Sequence, residues 1–397
     1  MISGEWIVCF APDPWSDIWR NRHRLLHVFS RQNRVLYVEP RLAVRSVARR
    51  LRSGEIKLRH FIRPRLAEVR DNIFVYRDPI HLPRTAWRVV GPAIERRRDA
   101  VLARAFRRLG VSRPILWLVR PDGWDLPGKF DEKALIYQVV DDYSSYPGVT
   151  EGARARLDRQ ERAITSHADL VIATSEHLVK LKRPLSSNIL HVRNGVDTRT
   201  LEEGKKTGGR TPPCLADAKR PVYGYIGGIT EKLDFDLLEK VAARVDADGG
   251  SLVLVGPVNV APGDPSHRVE RLRASPGVVF TGKKPTDEIP DYVRAFDVGL
   301  IPYKIGDQAR SIDPLKLYEY LAFGKPVVAV DIPSIQSFGE VVRIAKDTED
   351  FVGLLREAAL DRDDTRAARR RALAAEQSWE NRAAQISEAI EAILRRE

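Results

Sequence analysis

The sequence predicts an α/β protein made of two doubly wound domains in tandem. Three observations predict it. Short apolar runs alternate with helical stretches through the first half of the chain. A polar Gly/Pro-rich stretch then interrupts the alternation, which begins again beyond it. The 397 residues also exceed what a single core usually holds.

Trp6–Phe10 and Arg34–Val38 read as strands flanking a helix around Ile18–Arg31. Ile115–Val119, Ala134–Val140, Leu170–Ala173 and Ile189–Val192 continue the strand series, and helical spacing fills Glu151–His167. Near-continuous apolar strands of this kind belong to parallel sheets covered by helices on both faces. Between Glu202 and Arg220 the chain turns to Glu-Glu-Gly-Lys-Lys-Thr-Gly-Gly-Arg-Thr-Pro-Pro, which reads as a linker. Strands are expected again at Val222–Ile226, Leu252–Val255, Val278–Phe280, Val298–Ile301 and Val327–Val330. The expected division is residues 1–205, a linker at 206–220, residues 221–376, and a final segment 377–397. That segment contains an amphipathic helix, Trp379 to Arg396, expected to cross back to the first domain.

Charged residues at 30% and hydrophobic ones at 43% fit a folded protein rather than a disordered one. The cysteines, Cys9 and Cys214, lie in no metal-ligand spacing and form no disulfide framework, as in a reducing compartment. The apolar run Trp6–Phe10 is too short for a signal peptide, and no stretch approaches the roughly 18 apolar residues that span a bilayer. A cytoplasmic protein is therefore expected, free or resting on a membrane. The net charge of +12 is unevenly placed. Residues 1–120 hold 26 Lys+Arg against 10 Asp+Glu, leaving 40 against 44 for the rest, so all the excess lies in the first third. That asymmetry points to an anionic surface facing this part alone.

The segment Asp313-Pro-Leu-Lys-Leu-Tyr-Glu-Tyr-Leu-Ala-Phe-Gly-Lys-Pro-Val-Val-Ala-Val330 is the most informative about function. Pro314 suits a first helical position, Gly324 stops the helix, Pro326 prevents its restart, and a buried strand follows. Lys316 and Glu319, three residues apart, share one face near the helix start. A lysine at a helix N-terminus is a seat for phosphate, and a carboxylate one turn on can accept from ribose hydroxyls. Taken alone, the same spacing also suits a solvated ion pair. A second signal is Gly227-Gly228-Ile-Thr-Glu-Lys232, which leads from a strand to a helix at Asp234. Glycines there admit close approach of a ligand, and Lys232 could meet a diphosphate; the plainer alternative is a tight turn with a surface lysine. Gly227, Gly256, Gly282 and Pro302 all fall at carboxyl ends of expected strands, where open sheets bind ligands.

These motifs carry a resemblance. Tyr-Gly-Tyr-Ile-Gly-Gly, Leu-Val-Gly-Pro, Val-Phe-Thr-Gly, Tyr-Val-Arg-Ala-Phe-Asp-Val-Gly-Leu-Ile-Pro-Tyr and Pro-Leu-Lys-Leu-Tyr-Glu-Tyr-Leu-Ala-Phe-Gly-Lys-Pro-Val-Val together resemble group 1 glycosyltransferases of the GT-B fold. That fold has two Rossmann-like doubly wound domains facing across a cleft. The resemblance is strongest to bacterial enzymes of teichuronic-acid and exopolysaccharide assembly, including the glucuronosyltransferase of xanthan synthesis, and covers nearly all of residues 220–397. In the first domain it rests on Asp-Pro-Trp, Val-Leu-Tyr-Val-Glu-Pro, Asp-Asp-Tyr and Val-Arg-Asn-Gly-Val-Asp. It implies that Glu319 binds the ribose of a nucleotide-sugar donor and that Lys316 neutralises its diphosphate. Gly227, Gly228, Lys232, Gly256, Tyr303 and Ser311 would line the same site. Many relatives carry a glutamate at the position of Ser311, where it touches the donor sugar. The resemblance implies no metal and no cofactor beyond the donor.

A general base is expected from the first domain. Asp141 and Asp142 end the strand Ala134–Val140, and Asp141 lines up with the catalytic aspartate of the xanthan-type enzyme through a Tyr-x-x-x-Asp pattern. One of the pair could instead cap the following turn, and Asp142 suits that role better. Asp122 and Asp125, at the end of the preceding strand, and His23, on the first helix, are further candidates for base or acceptor contact. The region 41–113 carries Arg49-Arg50, Arg63, Arg65, Arg70 and Arg96-Arg97-Arg98, with a basic amphipathic helix over Pro92–Gly110 preceded by Trp87, Val89 and Val90. It offers an anionic membrane surface a partner, in keeping with a polyprenyl-linked glycan acceptor at the inner face of the cell membrane. The apolar face of that helix could equally be core. A sugar-nucleotide 2-epimerase of the same fold, a basic nucleic-acid-binding protein and an inactive scaffold are the rival functions. No RNA-binding or helix-turn-helix motif supports the second.

Overall fold

The computed structural model describes residues 1–52, 65–83, 90–146, 148–206, 209–260 and 267–396. The chain forms two compact units. Unit 1 comprises Met1–Ala173, Val179–His191 and Ala383–Glu397; unit 2 comprises Thr174–Leu178 and Val192–Arg382.

Unit 1 is an eight-stranded sheet of β1 (Trp6–Phe10), β2 (Arg34–Val38), β3 (Leu66–Arg70), β4 (Ile73–Tyr76), β5 (Ile115–Leu118), β6 (Ala134–Val139), β7 (Leu170–Ala173) and β8 (Ile189–His191). Their order is β3-β4-β2-β1-β5-β6-β7-β8. All neighbours are parallel except the β3–β4 hairpin. The edge strand Leu66–Arg70 carries no strand signal in the sequence, because it is charged, mostly exposed and shows no apolar alternation; its partner Ile73–Tyr76 is buried and apolar. The helix Gly91–Leu109 turns Leu102, Ala105 and Phe106 onto Trp6, Val8, Leu36 and Val38. Its apolar face is therefore core. Burial of Leu102 and of Phe106 stabilises the unit by roughly 1.5–3 kcal/mol each. In the last helix, Trp379–Leu394, Ile386 and Ile390 are buried, and Ser387 Oγ accepts from the Ile2 amide at 2.5 Å.

Unit 2 is a six-stranded sheet of β9 (Val222–Ile226), β10 (Ser251–Val255), β11 (Val278–Gly282), β12 (Val298–Ile301), β13 (Val327–Val330) and β14 (Arg343–Ala345). It is parallel throughout, in the order β11-β10-β9-β12-β13-β14. The order reverses between β9 and β12, which makes their carboxyl ends the topological switch point.

The linker expected at 206–220 lies inside unit 2, which starts at Val192. The reason is local packing. The helix Thr198–Lys205 is tied down by Arg294, whose guanidinium meets the Glu203 carboxylate at 3.2 Å, and Val196 pairs with Ser378. Gln377–Arg382 accordingly belong to unit 2, and only the chain from Ala383 belongs to unit 1. Pro314 stands one place before the helix Leu315–Ala322 rather than as its first residue, with extended backbone. Arg63, Trp87 and Val89 lie outside the described residues. No described helix is long and apolar enough to cross a membrane.

Candidate functional site

The switch point of unit 2 is built from three turns and one helix. After β9, Gly227 has φ +131°, a conformation that side chains rarely adopt, so the turn calls for glycine there, beside Lys316. Its amide donates to Val255 O at 2.9 Å, and the Gly256 amide donates to Gly282 O at 3.1 Å. Gly256 also has positive φ (+150°), and its missing Cβ would sit 1.9 Å from Gly227 O. The turns after β9 and β10 thus touch backbone to backbone. The Tyr225 hydroxyl donates to Gly228 O at 3.0 Å and closes the first turn.

The helix Leu315–Ala322 presents Lys316 to this floor. It is bolted to the sheet by Tyr320, whose hydroxyl accepts from the Ile226 amide at 3.0 Å. That ring lies in the space left by Gly299, where a Cβ would meet it at 2.5 Å. Lys316 is buried. Its Nζ donates to Tyr303 Oη at 2.5 Å and lies 4.7 and 4.6 Å from the ring centroids of Tyr225 and Tyr303. Burial pulls the ammonium's pKa down, but the two tyrosines more than offset it, so the group stays above the ordinary lysine range. One of three ammonium protons is taken by Tyr303. Glu319, one turn on, is half-buried, and its charge helps to hold Lys316 protonated.

The start of that helix is held by a buried network. Asp313 accepts from the Asn194 amide at 2.5 Å and from the Tyr318 hydroxyl at 2.8 Å, and pairs with Arg193 at 3.4 Å. Asn194 Nδ2 donates in turn to Asp313 O at 2.6 Å. The Arg193 guanidinium also donates to Ser337 Oγ at 2.7 Å and lies 4.8 Å from the Phe338 ring centroid. Val-Arg-Asn-Gly-Val is thus a strap across the helix start. Gly195 is required in it, because a Cβ there would stand 2.5 Å from Gln377 O.

Gly227, Gly228, Gly256, Tyr303, Lys316 and Glu319 therefore gather at one place. Lys232 is half-buried on the adjoining segment, its carbonyl accepting from the Lys304 amide at 2.8 Å. Ser311 is different. It is fully buried and its hydroxyl donates to Gln308 O at 3.0 Å, inside its own helix turn. Tyr225 was missed, although its place two residues before Gly227 on a strand aims it at the same side as the turn.

In unit 1, Asp141 is buried just beyond β6, accepting from the Asp142 amide at 3.1 Å and from the Tyr146 hydroxyl. Burial and the Asp141 charge push the Tyr146 phenol up, so it stays a proton donor to the carboxylate. Asp142 caps the turn Tyr143–Ser145, accepting from the Ser144 amide at 3.2 Å. His23 is fully enclosed. The Arg20 amide donates to its Nδ1 at 3.1 Å, so the neutral ring donates from Nε2 to Tyr37 Oη at 3.0 Å. Burial and the Arg22 charge lower its pKa to about 4, and both nitrogens are engaged, which marks a core histidine. Asp122 lies 3.6 Å from Arg120 Nε, and Asp125 pairs with Lys129 at 3.1 Å. Arg98 is turned inward to Asp78 at 3.0 Å, whereas Arg96 and Arg97 are exposed.

Residues 220–360 match the family model of glycosyl transferases group 1. The chain is 31% identical over 232 residues to a provisionally named teichuronic acid biosynthesis glycosyltransferase, TuaH, of Bacillus subtilis (strain 168). That match covers 56% of this chain and 57% of the relative, so the chain spans little more than half of that protein's length. Among solved structures, sucrose-phosphate synthase from Thermosynechococcus elongatus superposes with a TM-score of 0.69 at 17% identity, covering 99% of this chain and all of that one. Anabaena HepE in complex with UDP and glucose superposes with a TM-score of 0.65 at 15% identity, covering 97% of this chain and 99% of that one. At such identities the two structures speak for a shared fold.

Proposed function

We propose, from the premise that residues 220–360 are a group 1 glycosyltransferase domain, that the protein moves a hexose from a nucleoside-diphosphate sugar to a glycan acceptor. The observation that carries this reading is the buried Lys316 ammonium, held charged against Gly227 at the switch point of unit 2. The donor's diphosphate lies on Lys316 and on the amide N–H groups at the start of Leu315–Ala322, and Glu319 accepts from ribose hydroxyls. As the bond from the anomeric carbon to the diphosphate oxygen breaks, negative charge grows on the leaving group. A preorganised cation beside it stabilises that charge most in the transition state. With this lysine and the helix dipole in place, the reaction proceeds without a metal and without a cofactor other than the donor. Asp141 takes the proton of the attacking hydroxyl, and the Tyr146 hydroxyl holds the carboxylate in place until then.

The acceptor, bound by unit 1, is a polyprenyl-linked glycan of cell-envelope or exopolysaccharide assembly. The name of the Bacillus subtilis relative supports this. So do the exposed Arg96, Arg97, Arg104, Arg107 and Arg108 on the outer face of Gly91–Leu109, which make no ion pair among the described residues. They would rest the protein on anionic lipid at the inner face of the membrane. Thermal-shift screening against UDP-, GDP-, ADP- and dTDP-sugars tests the donor. At least one should raise the melting temperature, with or without EDTA; a flat response to all of them sinks the reading. Asp141→Asn should abolish transfer while sparing that donor shift, and full turnover by the variant would remove Asp141 as the base.

A further inference from the structure

Two of the places where the chain passes from one unit to the other are His191–Val192 and Arg382–Ala383. On the unit 2 side the two passages are bonded to each other. The Val196 amide donates to Gln377 O at 2.9 Å, and the Trp379 amide donates to Val196 O at 3.0 Å. Each passage also carries an arginine that feels the Asp313 carboxylate. Arg193 comes from the first, 3.4 Å from Asp313 Oδ1, and donates to Ser334 O as well. Arg382 comes from the second. It is buried, donates to Gln377 Oε1, and has Tyr318, Asp313 and Arg193 acting on its charge. Burial lowers its pKa, Tyr318 and Asp313 oppose that, and the Arg193 charge adds to it. A guanidinium stays protonated through all of this. Both Asp313 oxygens are engaged. The Tyr318 hydroxyl lies 2.8 and 3.0 Å from them, the Asn194 amide takes one and Arg193 the other.

Two guanidinium groups thus share one carboxylate, a surplus of one positive charge around the buried Asp313. Asp313 stands two residues before the helix Leu315–Ala322, and Lys316 lies three residues beyond it. The helix start adds about half a positive charge of its own. Cations from both passages and from the helix start therefore repel one another through protein, where such forces are least screened. An anion at the helix start removes that repulsion. We propose that Asp313, Arg193 and Arg382 form a latch. An anion seated at the start of Leu315–Ala322 tightens both passages of the chain, and their order in turn raises affinity for the anion. The two effects are one coupling free energy and must be equal. The proposal rests on the donor reading for the identity of the anion, a nucleoside diphosphate, but uses residues outside the donor cradle.

Hydrogen–deuterium exchange of the full chain, read by mass spectrometry, tests it with UDP, inorganic pyrophosphate and uridine as probes. UDP and pyrophosphate should each slow exchange of the amides in 193–196 and 377–382 at least about fivefold. Uridine, which lacks the charge, should not. In Arg382→Met and in Arg193→Met that slowing should shrink below about twofold, with UDP affinity reduced about fivefold in titration calorimetry. A merely structural role would raise exchange with and without ligand alike and leave the ligand-induced change intact. UDP bound with no slowing at either passage overturns the latch and leaves the donor reading standing. Slowing that persists in both variants, or that uridine also produces, overturns the latch as well. Slowing by pyrophosphate without UDP binding would keep the latch and defeat the donor reading, and binding of neither anion defeats both. Where one variant fails to fold, the other decides; if neither folds, UDP against uridine on the wild type decides.

Discussion

Among the described residues, a phenol and two ring faces hold the Lys316 ammonium, with Glu319 one turn away. Such a cation keeps its charge available to an incoming anion. Lys316→Ala should lower kcat/KM by about 10²–10³-fold, the usual effect of removing one transition-state charge partner. Steady-state kinetics with the donor identified by thermal shift will check this. Tyr303→Phe removes the hydrogen bond and keeps the ring, so it should lower the stability of unit 2 by about 1.5–3 kcal/mol in denaturant unfolding. His23 allows a prediction about stability. Its folded pKa, about 4, lies below the unfolded value of about 6.5, so below pH 6.5 the unfolded chain binds the extra proton. The stability this residue contributes is full above pH 6.5 and is lost as pH falls through 4, a change on the order of 3 kcal/mol. Urea melts at pH 7 and pH 4 should show a larger drop for the wild type than for His23→Phe, and equal drops would exclude His23 as the cause.

At the scale of elements, the helix Leu315–Ala322 works because other elements hold it. Asp313 and the Arg193–Asn194 strap hold its start, and Tyr320 bolts it to β9. Asp313→Ala would leave the Arg193 guanidinium without its carboxylate and should destabilise unit 2 by about 3–5 kcal/mol in denaturant unfolding. Gly195→Ala drives a methyl against Gln377 O and should cost about 1–3 kcal/mol in the same measurement. The helix itself was legible, because Pro314, Gly324 and Pro326 punctuate it and the i,i+3 pair falls at its start. What holds it was not. Asp313 and Asn194 are 119 positions apart, and no spacing rule reaches that far. The edge strand Leu66–Arg70 escaped for the opposite reason, since an exposed charged edge carries no periodic signal, whereas its neighbour Ile73–Tyr76 is a buried apolar run that was readable and passed over. Asp142 was readable as a cap from its place before Ser144, whereas the Tyr146 hydroxyl on Asp141 depends on the path of a turn.

For the molecule as a whole, the surplus of arginine in the first third resolves into two populations. Arg22, Arg41, Arg77 and Arg98 are spent on Asp13, Glu95, Glu39 and Asp78 inside unit 1, while the outer face of Gly91–Leu109 keeps its charge for solvent. Flotation with phosphatidylglycerol vesicles should recover the wild type at low salt, and replacing Arg96, Arg97, Arg104, Arg107 and Arg108 by Glu should abolish recovery. Equal recovery with phosphatidylcholine would remove the electrostatic membrane reading. The donor reading answers to a single titration. UDP, GDP, ADP and dTDP should be titrated calorimetrically into the wild type and Lys316→Ala. At least one diphosphate should bind the wild type, with its affinity falling at least about tenfold in the folded variant. No binding by any of them, or equal binding to both proteins, would contradict a donor cradle at Lys316.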